Sequence, residues 1–543
     1  MNDALSGIRT RNTVTPQTEK VFGRDDQVQN NAGGYVFEVA GEDRMKRFLT
    51  LGTDGGTYYQ KEQEYTRQNA AFVIDFAKNN GARLVTLIRD ISVAGRAPRQ
   101  NPALFALAAV FAFGSDNDKR YARTVFNDIV RTGTHLFIFV EYAEHLRGWG
   151  RSVKKAVASW YLNKNTRDLS YQMIKYRQRQ DWTHRDVLRT VHPKTTDTDK
   201  RALFDWACGR DGSVFRGGDG IPVFPEWAHP FYIVQGLAKM PAAKKSVYAD
   251  VIREFPGLPW EALPDIALTY PETWEALIDQ GMPITALIRQ LPRLTNLGLT
   301  KGATLDKIIN QLTDEDKLRK GRVHPVKLLY ALKTYALGHS IKGDSTWTPS
   351  TRITDTLDQS FYTSFGTVEP AGMRTLIGMD VSSSMRSAAP GGVVSCAEGA
   401  MAMAMVTMAT EPDYEVMGFA DTFRHLAVSP RRRLDDNLST IRGINFGRTD
   451  CSLPMRWALQ NKAEYDTFIV STDNETYAGS VHPFESLRQY RQKTGIDAKL
   501  IVVGMTSTGF TIADPADSGM LDVAGFDADT PNIISGFSRG DFS

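Results

Sequence analysis

Cysteine is scarce in this 543-residue chain. There are three, Cys208, Cys396 and Cys451, far apart and with no CxxC pair. That excludes a disulfide framework and a thiolate zinc site, and it predicts reduced thiols in a cytoplasmic protein. Long apolar runs are also missing. No stretch approaches the ~18 residues of a membrane span. The opening "MNDALSGIRTRNTVTPQTEK" has no apolar core of a secretion signal, so neither feature is expected. Several catalytic signatures are absent as well. There is no Gly-Lys dipeptide, hence no Walker A phosphate loop. There is no HExxH, and the nine histidines show no metal-ligand spacing.

What is present is a charge asymmetry. The net charge of +3 conceals 50 Lys and Arg against 41 Asp and Glu in residues 1–370, and 15 against 21 in residues 371–543. Residues 147–201 alone hold 14 basic and 5 acidic side chains, enough to account for the whole positive excess. A basic window in one part and an acidic remainder predict different partners for the two parts.

The hydrophobic rhythm divides the chain in the same place. Residues 1–25 are polar and read as a flexible arm. From about 44 to 340 the pattern is helical, in segments of ~10–17 residues separated by Gly, Pro, Asn or Asp. "QNPALFALAAVFAFGSDN" places Asn101 at an N-cap and Pro102 at the first helical position. Many helices with short connections and no sharp repeat consensus predict an α-solenoid with irregular HEAT-like packing over 26–365. After residue 365 strands and helices alternate: "TLIGMD", "SCAEGAMAMAMVTMAT", "DYEVMGFAD", "YDTFIVSTDNE", "AKLIVVGMTS". That predicts a doubly wound α/β domain over 366–543, with a mostly parallel sheet covered on both faces. Ligand sites in such sheets lie beyond the carboxyl ends of the strands.

Oxygen-bearing side chains gather at those ends. Asp380, Ser382 and Ser384 follow the first strand, and Asp473 follows "FIVST". Thr449 lies in the loop "FGRTDCSLP" between them. No sulfur or imidazole is among them. A hard divalent cation such as Mg²⁺ takes about six oxygens, so this set fits one. Neutral hydroxyls would leave the ion able to accept an anionic group from a partner. The order Asp-x-Ser-x-Ser, distant Thr, distant Asp resembles the metal-ion-dependent adhesion site of von Willebrand factor A domains at all five positions.

The basic window "KKAVASWYLNKNTRDLSYQMIKYRQRQDWTHRDVLRTVHPK" interleaves cations with Trp160, Tyr161, Tyr171, Tyr176 and Trp182. Lys175 and Arg179, four apart, would share a helix face, with Arg177 and Arg185 nearby. Cations bind phosphates and aromatic faces stack on unpaired bases, a combination suited to single-stranded nucleic acid. The plainer alternative is a solvated basic face whose aromatics point into the core.

Several separated stretches resemble the TROVE family of RNA-binding Ro proteins: "IKYRQRQDWTHRDVLRTVHPK", "FLTLGTDGGTYY" (48–59), "AGRAPRQNPALFALA" (94–108) and "TLIGMDVSSSM". The resemblance covers about residues 20–543 and suits a bacterial or phage-borne relative. It implies a HEAT-repeat ring closed by the von Willebrand-like domain. It implies small noncoding Y RNA on the ring's outer basic surface and single-stranded 3′ ends of misfolded RNA in its hole. The family's RNA-contacting positions fall on Lys175, Arg179 and His192, the last through "VHPK". It also implies work with a 3′–5′ exoribonuclease such as polynucleotide phosphorylase, and no catalysis by the chain itself. Neither a membrane nor DNA is expected as a partner. The segment "HPKTTDTDKRALFDWACGRDGS" has no family counterpart. Two other readings compete: a protein adaptor acting through the metal site, and a Mg²⁺-dependent nuclease. The latter would need several clustered carboxylates.

Overall fold

A computed structural model describes residues 14–39, 41–51, 62–93, 100–176, 178–179, 181–210, 233, 237, 245–321, 323–341, 343–389, 393–420, 422–442, 448–505, 509–524 and 530–541. Among the described residues from Gly41 to Thr363 helices predominate, and an α/β domain follows, as the change in hydrophobic rhythm predicts.

The helical part is organised around Asn101–Phe113, a helix apolar on all sides with ten buried residues. Such a helix has no face to offer water and must be surrounded. It packs against Glu62–Asn79, Gly81–Val93 and Gly133–Leu146. Its N-cap is Gln100 rather than Asn101, with Pro102 in the first turn. Phe111, Phe126 and Phe139 meet edge to face with ring centroids 5.0–6.1 Å apart. The segment after the basic window, expected as a loop of this chain's own, instead holds the helix Thr198–Ala207, capped by Asp197, which accepts from the amides of Asp199 and Lys200.

The α/β domain holds a six-stranded sheet. Its strands are β5 (Thr375–Asp380), β6 (Tyr414–Phe419), β7 (Phe423–His425), β8 (Thr467–Thr472), β9 (Lys499–Gly504) and β11 (Met520–Ala524), in the order β11-β9-β8-β5-β6-β7. All neighbours are parallel except β6 and β7. Side chains alternate between two buried faces. Ile377, Met379, Ile469, Ile501 and Val503 join the core shared with the helical part, beneath Cys396–Thr410. Leu376, Phe468, Val470, Leu500 and Val502 face Leu453–Gln460 and Pro483–Thr494. Burial on both faces explains why these strands read as unbroken apolar runs.

The segment expected as a flexible arm behaves otherwise where it is described. Gln17 is fully buried. Strands β1 (Gln27–Gln29) and β2 (Tyr35–Glu38) form a hairpin, extended by β10 (Phe510–Thr511) of the C-terminal domain. Residues 14–38 are thus part of the α/β domain, not of a free arm or of the helical part. Val36 and Phe37 bury against its core, and Arg24 pairs with the buried Asp514 at 2.6 Å. Residues 1–13 lie outside the described residues.

Both ends of the helical part rest on the same domain. The helix Gly41–Leu51 touches β11, and Pro325–Leu337 touches Cys396–Thr410. Lys333 pairs with Glu398 at 3.0 Å across this second junction. No described helix is long and apolar enough to cross a membrane, and all three cysteines are unpaired.

Two histidines, His184 and His324, are buried in the helical part and a third, His135, is half-buried; each is held neutral chiefly by desolvation. His184 and His324 are pushed down to about 3, and His135 to about 4. A lowered folded-state pKa means that the unfolded chain takes up the proton first. Stability is therefore complete above the ordinary histidine pKa and lost as pH falls toward the folded value. The stability gap between wild type and His184→Gln should narrow by about 2 kcal/mol from pH 7 to pH 5 in urea titrations. A gap independent of pH would show that His184 is not buried neutral.

Candidate metal centre and nucleic-acid interface

The central strands β5 and β8 lie side by side and end together, which brings two carboxylates into one place. Asp380 closes β5 and Asp473 directly follows β8. They are 1% and 3% exposed. Asp380 accepts from the Ser382 amide and from the Thr472 hydroxyl, each at 2.8 Å. The Ser382 and Ser384 hydroxyls lie 3.0 Å apart. Asp473 accepts from the Glu475 amide at 3.2 Å through one oxygen. Its other oxygen, Oδ2, is buried without a hydrogen bond among the described residues, although the nearby Ser384 hydroxyl favours the charged form of the acid. Burial pushes both carboxyls upward, and Asp473 raises Asp380 further. Among the described residues no Lys or Arg forms an ion pair with either acid. An orphaned carboxylate oxygen beside two hydroxyls fits a hard divalent cation. Among the described residues no cluster of three His, Cys, Asp or Glu offers an alternative metal cage.

The fifth predicted ligand, Thr449, is buried in the neighbouring loop. Its carbonyl accepts from the amides of Tyr477 and Ala478, which ties this loop to the one carrying Asp473. The structure therefore brings Asp380, Ser382, Ser384 and Asp473 to one end of the sheet, with Thr449 in a loop bonded to theirs.

Sequence reasoning missed what holds these loops. The Gln17 side chain donates to Asp450 Oδ1 at 2.7 Å and to the Val481 carbonyl at 2.8 Å, and accepts from the Thr476 hydroxyl. Asn30 donates to the Thr476 carbonyl at 2.8 Å. Asn31 and the Ala32 amide bind Glu475, whose carboxyl burial pushes up to about 7. Gly34 approaches so closely that an added Cβ would stand 1.9 Å from the Thr476 carbonyl oxygen. Only a glycine fits there. The partners of Gln17 lie more than 430 residues away, so no local signal could have revealed them.

The basic window is rearranged relative to expectation. Lys175 ends the helix Thr166–Lys175, and Tyr176 caps it out of helical geometry. The chain then turns through a hairpin, β3 (Gln178–Arg179) against β4 (Trp182–Thr183). Lys175 and Arg179 therefore do not share a helix face. The turn uses Asp181 at φ 60°, and Trp182 fixes it by donating to Glu141 at 3.1 Å and meeting Trp149 at 5.6 Å. Tertiary anchoring overrides helical propensity here. The capping box Thr183–Asp186 then starts the helix His184–Val191. The "THRD" spacing was the signal available for that break. Arg177 and the side chain of Arg179 lie outside the described residues.

Lys175 is half-buried, its Nζ 3.5 Å from the Tyr171 hydroxyl. Burial is the largest influence on its charge and opposes it. Tyr176, Tyr171 and Glu261 together outweigh that, and its pKa is raised. Arg185 is exposed in the first turn of its helix, and exposed His192 caps the far end at φ 46°. Roughly 10 Å of helix rise separates the two. The interleaved aromatics divide. Trp160 and Tyr161 are fully buried, the latter bonded to His184 at 2.8 Å, so neither can stack on a base. Tyr171 is exposed, and Tyr176 and Trp182 are half-buried.

The domains match known families in this order. A TROVE domain model matches residues 28–210 and 257–334, and a Ro60 vWA domain model matches 374–538. The RNA-binding protein RO60 of Deinococcus radiodurans is 38% identical over 548 residues, spanning all of both chains. Its namesake from Caenorhabditis elegans is 34% identical over 594 residues, covering 97% of this chain and 92% of that one. The crystal structure of the Deinococcus radiodurans RO (RSR) protein superposes with a TM-score of 0.71 at 36% identity. It covers 92% of this chain and 99% of the other.

Removing the side chain of Gln17 would leave Asp450, Thr476 and the Val481 carbonyl short of partners in a buried site. Gln17→Ala should lower stability by roughly 1–3 kcal/mol, read by chemical denaturation. A change below ~0.5 kcal/mol would show that residues 14–38 are not tightly docked.

Proposed function

The chain belongs to the Ro family of TROVE-domain proteins, and from that premise we propose that it is a non-catalytic RNA-binding protein. The observation that carries this is the full-length agreement, both domains in order, with relatives that are named as RNA-binding proteins. The charge distribution supports it, since the basic excess sits in the helical part.

The finer reading assigns RNA contact to Lys175, Arg179 and His192, with Arg177 and Arg185 adding charge. Y RNA and the single-stranded 3′ ends of misfolded RNA are the proposed ligands. A 3′–5′ exoribonuclease such as polynucleotide phosphorylase is the proposed partner in cytoplasmic noncoding-RNA quality control. Attachment of both ends of the helical part to one domain supports a closed ring. Exposed Tyr171 is the aromatic best placed to stack on an unpaired base.

Asp380, Ser382, Ser384, Thr449 and Asp473 are proposed to hold a divalent cation, Mg²⁺ by the hardness of the donors. When bound, the ion would neutralise the buried acids and offer an open position to an anionic group. Asp380 and Asp473 supply the charge. The serines and Thr449 supply neutral oxygens, and the hydrogen bonds around Gln17 hold the loops in place. The orphaned Asp473 oxygen also favours a second reading, a protein adaptor working through this site. Absence of RNA from the gently purified protein, by its 260 to 280 nm absorbance ratio, would favour the adaptor.

Lys175→Ala/Arg179→Ala/His192→Ala should weaken binding of a labelled single-stranded RNA and flatten the slope of log affinity against log salt by about 2. Unchanged affinity at low salt would remove these residues from the interface. Asp380→Ala should abolish Mn²⁺ binding in calorimetry while leaving RNA affinity within about twofold. Retained Mn²⁺ binding would refute the metal assignment.

A further inference from the structure

A second concentration of positive charge lies outside the basic window as the sequence defines it. A cleft of about 600 Å³ opens between the C-terminal ends of Asn101–Phe113 and Gly133–Leu146 and the N-terminal ends of Asp116–Thr124 and Arg151–Asn163. Lys119, Arg120, Arg123, Arg147, Arg151 and Lys155 line it, against one carboxylate, Asp116. Among the described residues none of the six forms an ion pair with a carboxylate, whereas Arg83, Arg89 and Arg253 elsewhere on the helical surface do. Six like charges sharing a cleft repel one another, and folding alone gives no reason to gather them.

Three of them are held by neutral groups rather than by acids. Arg147 donates to the Ala112 carbonyl at 2.5 Å and Arg123 to the Ser152 hydroxyl at 2.8 Å, each across to another helix, and Arg120 donates to the Asn117 side-chain oxygen within its own helix. These bonds orient the guanidinium groups without cancelling their charge. The helix Arg151–Asn163 adds to the same field. Its N-cap is Gly150, no side chain caps it and its first turn holds no acid, so its positive end stays open toward the cleft.

The cleft is continuous with the hairpin. Tyr176, next to Lys175, packs on Gly133 at the start of the helix Gly133–Leu146. Trp182 packs on Trp149, beside the glycines that line the cleft at the other end. The helix between them is roughly 20 Å long, a distance that a few nucleotides of extended strand cover.

We propose that this cleft is a second phosphate-binding site, which takes the backbone of the same RNA strand that Lys175 contacts. The proposal rests on the RNA-binding reading. Arginine forks match phosphate oxygens in pairs, and four of the six cations are arginines. Contacts of this kind read backbone, not sequence.

The test uses the full-length chain and a 5′-fluorescein-labelled 24-nucleotide single-stranded RNA, followed by anisotropy from 50 to 300 mM KCl. Lys119→Gln/Arg120→Gln/Lys155→Gln removes three charges while sparing Arg123 and Arg147, whose bonds are structural. Affinity at 100 mM should fall at least tenfold, and the salt slope should flatten by about 2, near 0.7 per lost phosphate contact. The charge-keeping variant Lys119→Arg/Arg120→Lys/Lys155→Arg should bind within about threefold of wild type, which separates lost charge from lost fold. Wild-type binding that survives the glutamine changes with unaltered slope would overturn the cleft while leaving the RNA-binding reading intact. A wild-type chain that does not bind the RNA at all would overturn both.

Discussion

Charge left without an internal partner is the constraint on which the rest of this structure turns. In the α/β domain two carboxylates, Asp380 and Asp473, are buried side by side with hydroxyls for company and, among the described residues, no basic residue in an ion pair with either. Burying like charges is costly unless something positive arrives. In the helical part the imbalance is reversed, with six cations around one cleft and, among the described residues, no carboxylate paired with any of them. A chain with 65 basic and 62 acidic residues could have neutralised itself far more fully. It does so elsewhere, as at Arg24 and Asp514 or Arg374 and Asp466. The unpaired charges mark where outside partners belong.

The rest of the architecture keeps those charges in place. The parallel sheet fixes where Asp380 and Asp473 emerge, because β5 and β8 are neighbours in register. Residues 14–38 then bind the loops that carry Asp473 and Thr449, so the first described residues and the last domain form one unit. That unit also supports both ends of the helical part. The buried carboxylates and the helical surface are therefore joined through packing.

The fold was legible at the level of element type and domain order. The cause is periodicity: doubly buried strands such as "TLIGMD" and "KLIVVG" read as continuous apolar runs, and apolar helices such as Asn101–Phe113 cannot lie on a surface. The meeting of Asp380 and Asp473 was legible because topology brings the ends of neighbouring strands to one location. Three features were not. The docking of Gln17 depends on contacts across more than 430 residues. The hairpin at 178–183 is imposed by Trp182 on Glu141 and Trp149, which no local window contains. The basic cleft draws on residues from 119 to 155 that are adjacent only after helices pack, so the charge count over 147–201 caught just half of it. Composition also overstated the aromatic contribution, because Trp160 and Tyr161 belong to the core.

The central claim is that the unpaired cations of the helical part, and not the acidic α/β domain, hold RNA. Ultraviolet crosslinking of the full-length protein to a single-stranded RNA, followed by mass-spectrometric mapping of the modified peptides, tests it most directly. The account predicts crosslinks within residues 116–192, with Tyr171 or Tyr176 among them. Crosslinks confined to residues 371–543 would contradict it.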